Sequence, residues 1–246
     1  MVYFDEGNEM KLVLFVILSF NLIFLSGCNN TSKTKSELPP YEVFKKEALN
    51  GEVLSQYNLG VSYLEGSNGA TKDVHQALFW FEKAANNGDS DAQYNLGVIY
   101  SSNDYVKQDL EKSLEMYQRA VKLNNAKAQN NLANFYKEGI IVPKNYKLAF
   151  ELYDLSANQN YTTGQVNLGN MYLNGYGVEK DIMKAFFLYK HAADQGDADG
   201  QYLVGSMYAE GLGVNKDIVE AKVWFETSAY QGNQAAQTRL ASLNSN

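Results

Sequence analysis

The stretch Asp91-Ala-Gln-Tyr-Asn-Leu-Gly-Val-Ile-Tyr100 decides the fold, because copies of it recur along most of the chain. A fixed period of 20 to 50 residues is typical of a solenoid, in which each repeat buries its apolar face against its neighbours. The sequence therefore predicts an elongated array of repeats. The leading glutamine recurs every 36 residues, and once after 37, at Gln56, Gln93, Gln129, Gln165, Gln201 and Gln237.

The first half of each repeat reads as a helix with one buried face. In the second repeat, Ala92, Leu96, Gly97 and Tyr100 lie on that face at helical spacing. A glycine inside a helix costs about 1 kcal/mol relative to alanine. We therefore expect Gly97 to be there because it lets a neighbouring helix approach closely.

The second half of each repeat reads as a helix with defined ends. Asp and Asn are strong N-caps, because their side chains accept hydrogen bonds from free backbone N–H groups of the first turn. Gly and Asn accept the left-handed backbone angles of a C-cap. The predicted N-caps are Asp73, Asp109, Asn145, Asp181 and Asp217. The predicted ends are Gly88, Asn124 or Asn125, Asn160, Gly196 and Gly232.

The array is predicted to fill residues 41–246, with an incomplete unit at each end. Residues 41–50 match a second helix alone, and residues 234–243 match a first helix alone. Atypical ends are expected, because a terminal repeat must cover the apolar face of its neighbour.

Residues 1–27 are predicted to be an N-terminal extension and an export signal. A basic residue is followed by an apolar run over residues 12–25, which is shorter than the roughly 20 residues of a membrane-spanning helix. Acidic residues before Met10 do not suit such a signal, so translation is expected to start at Met10. The polar residues 28–40 are interpreted as a flexible tether.

The sequence Leu25-Ser-Gly-Cys28 resembles the lipobox of bacterial lipoproteins. That resemblance implies cleavage before Cys28, acylation of Cys28, and a location in the bacterial cell envelope, at the periplasmic face of the outer membrane. The alternative is an unmodified cysteine that follows a plain membrane anchor.

Composition argues against several classes of function. The formal net charge is −7, whereas nucleic-acid binding needs a cluster of Lys and Arg. With Cys28 as the single cysteine, no internal disulfide is possible. His75 and His191 lie on different predicted helices and leave little material for a metal site. No arrangement of catalytic residues stands out, so we expect neither a cofactor nor a metal, and no enzymatic activity.

The repeat pattern Ala-x-x-x-Leu-Gly-x-x-Tyr, followed by Gly-x-Gly-Val-x-x-Asp-x-x-x-Ala, resembles the Sel-1-like repeat, a relative of the tetratricopeptide repeat. The match extends over residues 52–243. It implies an all-α fold, an α/α solenoid coiled as a right-handed superhelix, whose first helices line a concave groove. It also implies a non-catalytic adaptor that binds a protein or peptide partner.

The resemblance leaves two further functions open. Some exported Sel-1-like lipoproteins are similar to immunity proteins that neutralise lipase-type toxins. Others, rich in disulfide-linked cysteine pairs, have been linked to penicillin binding and hydrolysis, and this chain lacks those pairs.

The predicted partner surface consists of first-helix residues that point away from the buried face of the helix, as judged from a rotation of 100° per residue. Aromatic residues on such a surface anchor partners. The alternative is that these side chains only edge the core between repeats. The recurring glutamines are interpreted as structural ties. The predicted groove residues are Tyr57, Val61, Tyr94, Val98, Ser101, Asn130, Asn134, Val166, Asn170, Tyr202 and Ser206.

Overall fold

The computed structural model describes residues 40–244, which form twelve α-helices and no strand. Met10, Cys28, the export signal and residues 28–39 of the tether lie outside the described residues. The helices are α1 (Pro40–Leu49), α2 (Val53–Glu65), α3 (Val74–Asn86), α4 (Ser90–Ser101), α5 (Leu110–Lys122), α6 (Ala126–Glu138), α7 (Tyr146–Asn158), α8 (Thr162–Asn174), α9 (Ile182–Asp194), α10 (Ala198–Glu210), α11 (Ile218–Tyr230) and α12 (Gln234–Asn244).

The helices form five successive pairs, from α2 with α3 to α10 with α11, and each helix packs mainly against its neighbours in the chain. The first helices of neighbouring pairs also contact each other, as α6 does with α4 and α8, and they do so more than neighbouring second helices. The first helices therefore form the inner face of the array and the second helices its outer face. The predicted all-α solenoid is confirmed.

The capping residues explain where the second helices begin and end. The side chain of each predicted N-cap accepts a hydrogen bond from its own first turn, and the bond from Lys184 N to Asp181 Oδ1 is 2.9 Å long. Asn124 has a φ of 60°, while Asn125 caps the next helix. The left-handed residue that ends the second repeat is therefore Asn124, directly after the C-cap Leu123. The other predicted ends also have positive φ: Gly88, Asn160, Gly196 and Gly232.

The core is a row of aromatic rings, one from each second helix, packed on a small residue of the first helix. A Cβ placed on Gly97 would lie 2.5 Å from the ring of Tyr117, so no side chain fits there. The predicted reason for this glycine is therefore confirmed. Burial of one large apolar side chain stabilises a fold by roughly 1.5–3 kcal/mol, so these rings hold the repeats together. The buried rings are Phe81, Tyr117, Tyr153, Tyr189 and Phe225.

The two lone helices cover the ends of the array. Helix α1 packs Tyr41 and Phe44 against the buried Trp80, and the Tyr41 hydroxyl is 2.8 Å from that of Tyr63. Helix α12 buries Ala236 beside the ring of Phe225. Among residues 40–244, every helix is too short or too polar to cross a membrane.

Candidate interaction surfaces

The predicted groove residues all lie on first helices, and their side chains are half-buried or buried in the inner face and do not project from it. Tyr57, Tyr94 and Tyr202 are half-buried. Their rings lie 5.9, 6.1 and 5.8 Å from the buried ring of the same repeat. The bodies of these tyrosines therefore edge the core. Half-buried too are Val61, Val98, Ser101, Asn134, Asn170 and Ser206, whereas Asn130 and Val166 are buried.

The hydroxyls of Tyr57 and Tyr94 are partly buried and lie beside polar side chains. Burial raises the pKa of Tyr94 to about 12, and a hydrogen bond from Asn131 opposes that rise. Burial also raises the pKa of Tyr57, whose hydroxyl is bonded to Asn95. Both phenols therefore stay neutral at physiological pH and tie one repeat to the next.

Two asparagines in one row of the predicted set bond the tyrosine behind them, whereas Val98 in the same row packs against the cluster that contains Tyr117. Tyr189 donates its hydroxyl hydrogen bond to Asn170 Oδ1 over 2.7 Å. In the first repeat the ring is Phe81, which has no hydroxyl, and the same row carries Val61. An asparagine in this row therefore bonds a core tyrosine and also forms part of the surface. The same bond joins Tyr153 and Asn134.

A row of asparagines beside the predicted set was missed from the sequence. Asn131 donates to the Tyr117 hydroxyl over 3.1 Å, and Asn167 donates to Asn130 Oδ1 over 2.8 Å. Side-chain amides offer both donors and acceptors, so the row links repeats and lines the inner face with polar groups. The signal was the Gln-x-Asn-Leu motif itself. The row consists of Asn58, Asn95, Asn131 and Asn167, all half-buried.

The borders of the inner face carry exposed acids. Glu65, Glu138 and Glu210 are the last residues of their first helices. An acid at a helix C-terminus opposes the helix dipole, and Glu138 and Glu210 are paired with Lys137 and Arg239, each at 3.0 Å. Near the other ends of the first helices, Asp91 and Asp199 are exposed as well and accept hydrogen bonds from Asn125 and Asn233.

The glutamines that recur once per repeat, which we call the glutamine ladder, are structural, as interpreted from the sequence. Gln201 Nε2 donates to the Ala193 carbonyl over 3.4 Å, and Gln201 Oε1 accepts from Gln231 Nε2 over 2.8 Å. Such a glutamine bonds a carbonyl at the end of one second helix and the residue that follows the next second helix, and so joins two neighbouring repeats. The same bond to a helix-end carbonyl is made by Gln56, Gln93 and Gln237, with Ala48, Ala85 and Ala229.

One rung of this ladder is incomplete. The donor to the ladder glutamine comes from the residue after the second helix, which is Gln159, Gln195 or Gln231 in the last three repeats. In the second repeat that residue is Leu123, which is 48% exposed. Gln93 Oε1 is consequently buried without a hydrogen-bond partner.

The histidines do not form a metal site in the described part of the chain. His75 lies on α3 and His191 on α9, and both are exposed. Within residues 40–244 there is no cluster of three or more His, Cys, Asp or Glu residues able to hold a metal ion.

Comparison with known proteins places these features in a family. The family model described as Sel1 repeat matches residues 53–89, 90–125, 126–161, 162–197 and 198–233, one match for each helix pair. No curated protein matches the chain in sequence.

Solved structures share the fold. A Sel1 repeat protein from Oxalobacter formigenes is 26% identical, with a TM-score of 0.74 over 84% of this chain and 88% of that one. Antigen c5321 of uropathogenic Escherichia coli, which displays an SLR fold, is 31% identical, with a TM-score of 0.60 over 82% of this chain and 51% of that one. Immunity protein Pa5087 from Pseudomonas aeruginosa is 18% identical, with a TM-score of 0.54 over 83% of this chain and 79% of that one.

Proposed function

Because the chain belongs to the Sel1 repeat family, whose repeats form a protein-interaction fold, we propose that it is a non-catalytic adaptor that holds an extended peptide segment of a protein partner against its inner face. The observation that carries this proposal is the row of asparagines. Neighbouring packed helices lie roughly 8–10 Å apart, and an extended chain rises about 3.3 Å per residue. One amide of the row therefore meets the partner's main chain about every third residue.

The charges on the borders indicate the composition of that segment. Exposed acids stand on both sides of the asparagine row, and the chain as a whole has a net charge of −7. Complementary charge speeds encounter and selects the partner. The preferred segment is therefore extended, polar and basic.

We also propose that the adaptor works at a membrane, anchored through Cys28. The lipobox resemblance supports this, and two acyl signals at one N-terminus give stable anchoring where a single chain gives only marginal binding. The protein is expected to incorporate a labelled fatty acid in cells, and replacing Cys28→Ser is expected to abolish that incorporation. An unlabelled wild-type protein, or a variant that is labelled equally, would remove this part of the proposal.

Photocrosslinking tests the binding face directly. A photoreactive residue replaces Val98 on the inner face or, as a matched control, the exposed Gln118 on the outer face of α5. Irradiation of intact cells is expected to give one discrete adduct from position 98 and none from position 118. Adducts of the same proteins from both positions, or none from either, would overturn the proposal.

Neutralisation of a toxin is the second candidate function, since the fold also occurs in an immunity protein. An adaptor and an immunity protein differ in what the adduct contains. An adduct with a resident envelope protein supports the adaptor. An adduct that forms only when a toxic effector is co-expressed, together with survival of the cells, supports immunity.

A further inference from the structure

Two clefts of the same design open between second helices on the outer face. The cleft between α3 and α5 has a volume of about 190 Å³, and the cleft between α7 and α9 has a volume of about 400 Å³. Every residue on the wall of the smaller cleft has its counterpart 72 residues later on the wall of the larger one. One cleft can therefore be used to interpret the other.

The smaller cleft is occupied by an arginine of the chain itself. Arg119 lies across it, and its guanidinium donates to the Ala85 carbonyl over 3.1 Å and to Asn86 Oδ1 over 3.2 Å. Glu82 contributes a carboxylate to the same wall. A helix-end carbonyl, an amide oxygen and a carboxylate are the acceptors that a planar guanidinium with five donors satisfies.

The larger cleft has the same kinds of acceptor but no arginine of its own. Ala157, Asn158 and Asp154 stand where Ala85, Asn86 and Glu82 stand in the smaller cleft, and His191 stands in place of Arg119. The His191 ring does not cross the cleft, because its Nδ1 lies 3.2 Å from Gln195 Nε2 on its own side.

Two further features of the larger cleft suit a guanidinium. Phe187 replaces Glu115 on the wall, and its ring is 61% exposed, so it offers an aromatic face. A cation over such a face is attracted by the ring. Asn158 Nδ2 already donates to Asp154 Oδ2 over 3.1 Å, which leaves Asn158 Oδ1 to accept from a ligand.

A lysine on the wall does not exclude a second cation. Lys184 is 3.6 Å from Asp181 and lies over the ring of Tyr172 at 5.1 Å. Its counterpart in the smaller cleft, Lys112, makes the same two contacts, with Asp109 and Tyr100. Since that cleft accepts Arg119, its enlarged copy tolerates an arginine in the same way.

We propose that the cleft between α7 and α9 is a docking site for an arginine side chain presented by a partner protein. The arginine enters from the outer face, with its guanidinium bound to Asn158 and Asp154 and adjacent to the ring of Phe187. The proposal rests on the proposed function only in requiring a protein partner. Because it concerns a different face from the asparagine row, either site can fail without the other.

The test is a titration of the isotope-labelled full chain, in mild detergent, with the peptide acetyl-Gly-Arg-Gly-amide, followed by NMR. The control peptide carries citrulline, which has nearly the same shape but no charge. The arginine peptide is expected to shift the side-chain amide signals of Asn158 and Gln165, a buried residue on the cleft wall, and to bind at least about tenfold more tightly than the control, because bonds to charged groups are the stronger ones. Equal binding of both peptides, or shifts elsewhere only, would overturn the proposal.

Two variants sharpen the test. His191→Arg is expected to fill the cleft from within, as Arg119 fills the smaller one, and to abolish binding of the peptide while the protein stays folded. Asp154→Asn removes the carboxylate without changing the volume and is expected to weaken binding about tenfold. Conversely, Arg119→His is expected to create a second peptide site between α3 and α5. Unchanged binding in His191→Arg or in Asp154→Asn contradicts the assignment.

Discussion

Leu123 leaves a buried acceptor without a donor, and replacing it with glutamine should repair that defect. Gln231 and Leu123 follow their helices with similar backbone angles, φ and ψ of −82° and 4° for one and −98° and 18° for the other. From this position Gln231 Nε2 reaches the Oε1 of its ladder glutamine at 2.8 Å. The substituted glutamine therefore has the geometry to reach Gln93 Oε1.

The size of the effect follows from two opposing contributions. A buried polar group without a partner costs about 1–3 kcal/mol. Leu123 is about half-buried, and full burial of a leucine is worth roughly 1.5–3 kcal/mol, so its loss costs about 1 kcal/mol. We expect Leu123→Gln to raise the free energy of unfolding by about 1 kcal/mol. For a folded region of this size, that corresponds to about 2–4 °C in melting temperature.

Thermal unfolding monitored by far-UV circular dichroism measures this change. Leu123→Ala is the matched control, because it removes the same apolar contacts without adding a donor, and it should lower the melting temperature. Gln231→Leu strands Gln201 Oε1 in the fifth repeat and should cost more than Leu123→Gln gains, because it also removes the bond to the Gly196 carbonyl. If Leu123→Gln melts no higher than Leu123→Ala, the unpaired oxygen is not a source of instability and the reasoning fails.

Three further predictions concern turns, the core and pH. Gly177 has a φ of 71°, and a Cβ there would lie 2.3 Å from a backbone carbonyl oxygen. Gly177→Ala should therefore lower the melting temperature much more than Gly196→Ala, since Gly196 has a φ of 91° but no atom within 4 Å of such a Cβ. Equal losses would show that the close approach at Gly177 is unimportant. Tyr189→Phe should lower the free energy of unfolding, measured in urea, by about 1 kcal/mol, because the Asn170 amide loses its hydrogen-bond partner. Adding Asn170→Val should restore part of that free energy. Additive losses in the double variant would contradict this coupling. The pKa of Tyr94 is raised to about 12 from 10.0, so its stabilising contribution is complete below pH 10 and is lost as the pH rises towards 12. The melting temperature should fall over this range while the absorbance of tyrosinate rises. A melting temperature that stays constant would refute this prediction.

The fold was predictable because each repeat carries its own local signals. The 36-residue period, the capping residue Asp181 and the terminating Gly196 act within a few residues of their own positions. Packing that joins residues 20 to 35 positions apart is also predictable in such a fold, since each repeat meets only its neighbours. For this reason Gly97 could be assigned to a close helix contact before the ring against it was known.

The contact surface was harder to predict, because helical angle alone does not determine exposure at a solenoid's inner face. Asn130 and Val166 lie off the buried face that helical angle predicts, yet both are buried, and Val166 belongs to the core cluster that contains Tyr189. The asparagine row was overlooked because Asn131 sits inside the motif used to define the repeat. A residue that recurs in every unit is easily taken for structure alone, whereas these amides both tie repeats and line a face.

Repetition allows the same position to be compared in neighbouring repeats, because it meets nearly the same surroundings five times. The position of Arg119 carries Lys83, Leu155, His191 and Thr227 in the other repeats, so an arginine across the cleft is not part of the repeat pattern. The acceptors Ala157, Asn158 and Asp154 nevertheless line the cleft between α7 and α9, as Ala85, Asn86 and Glu82 line the smaller one. In the smaller cleft such acceptors bind an arginine of the chain itself, and in the larger one they are open to an arginine that enters from outside.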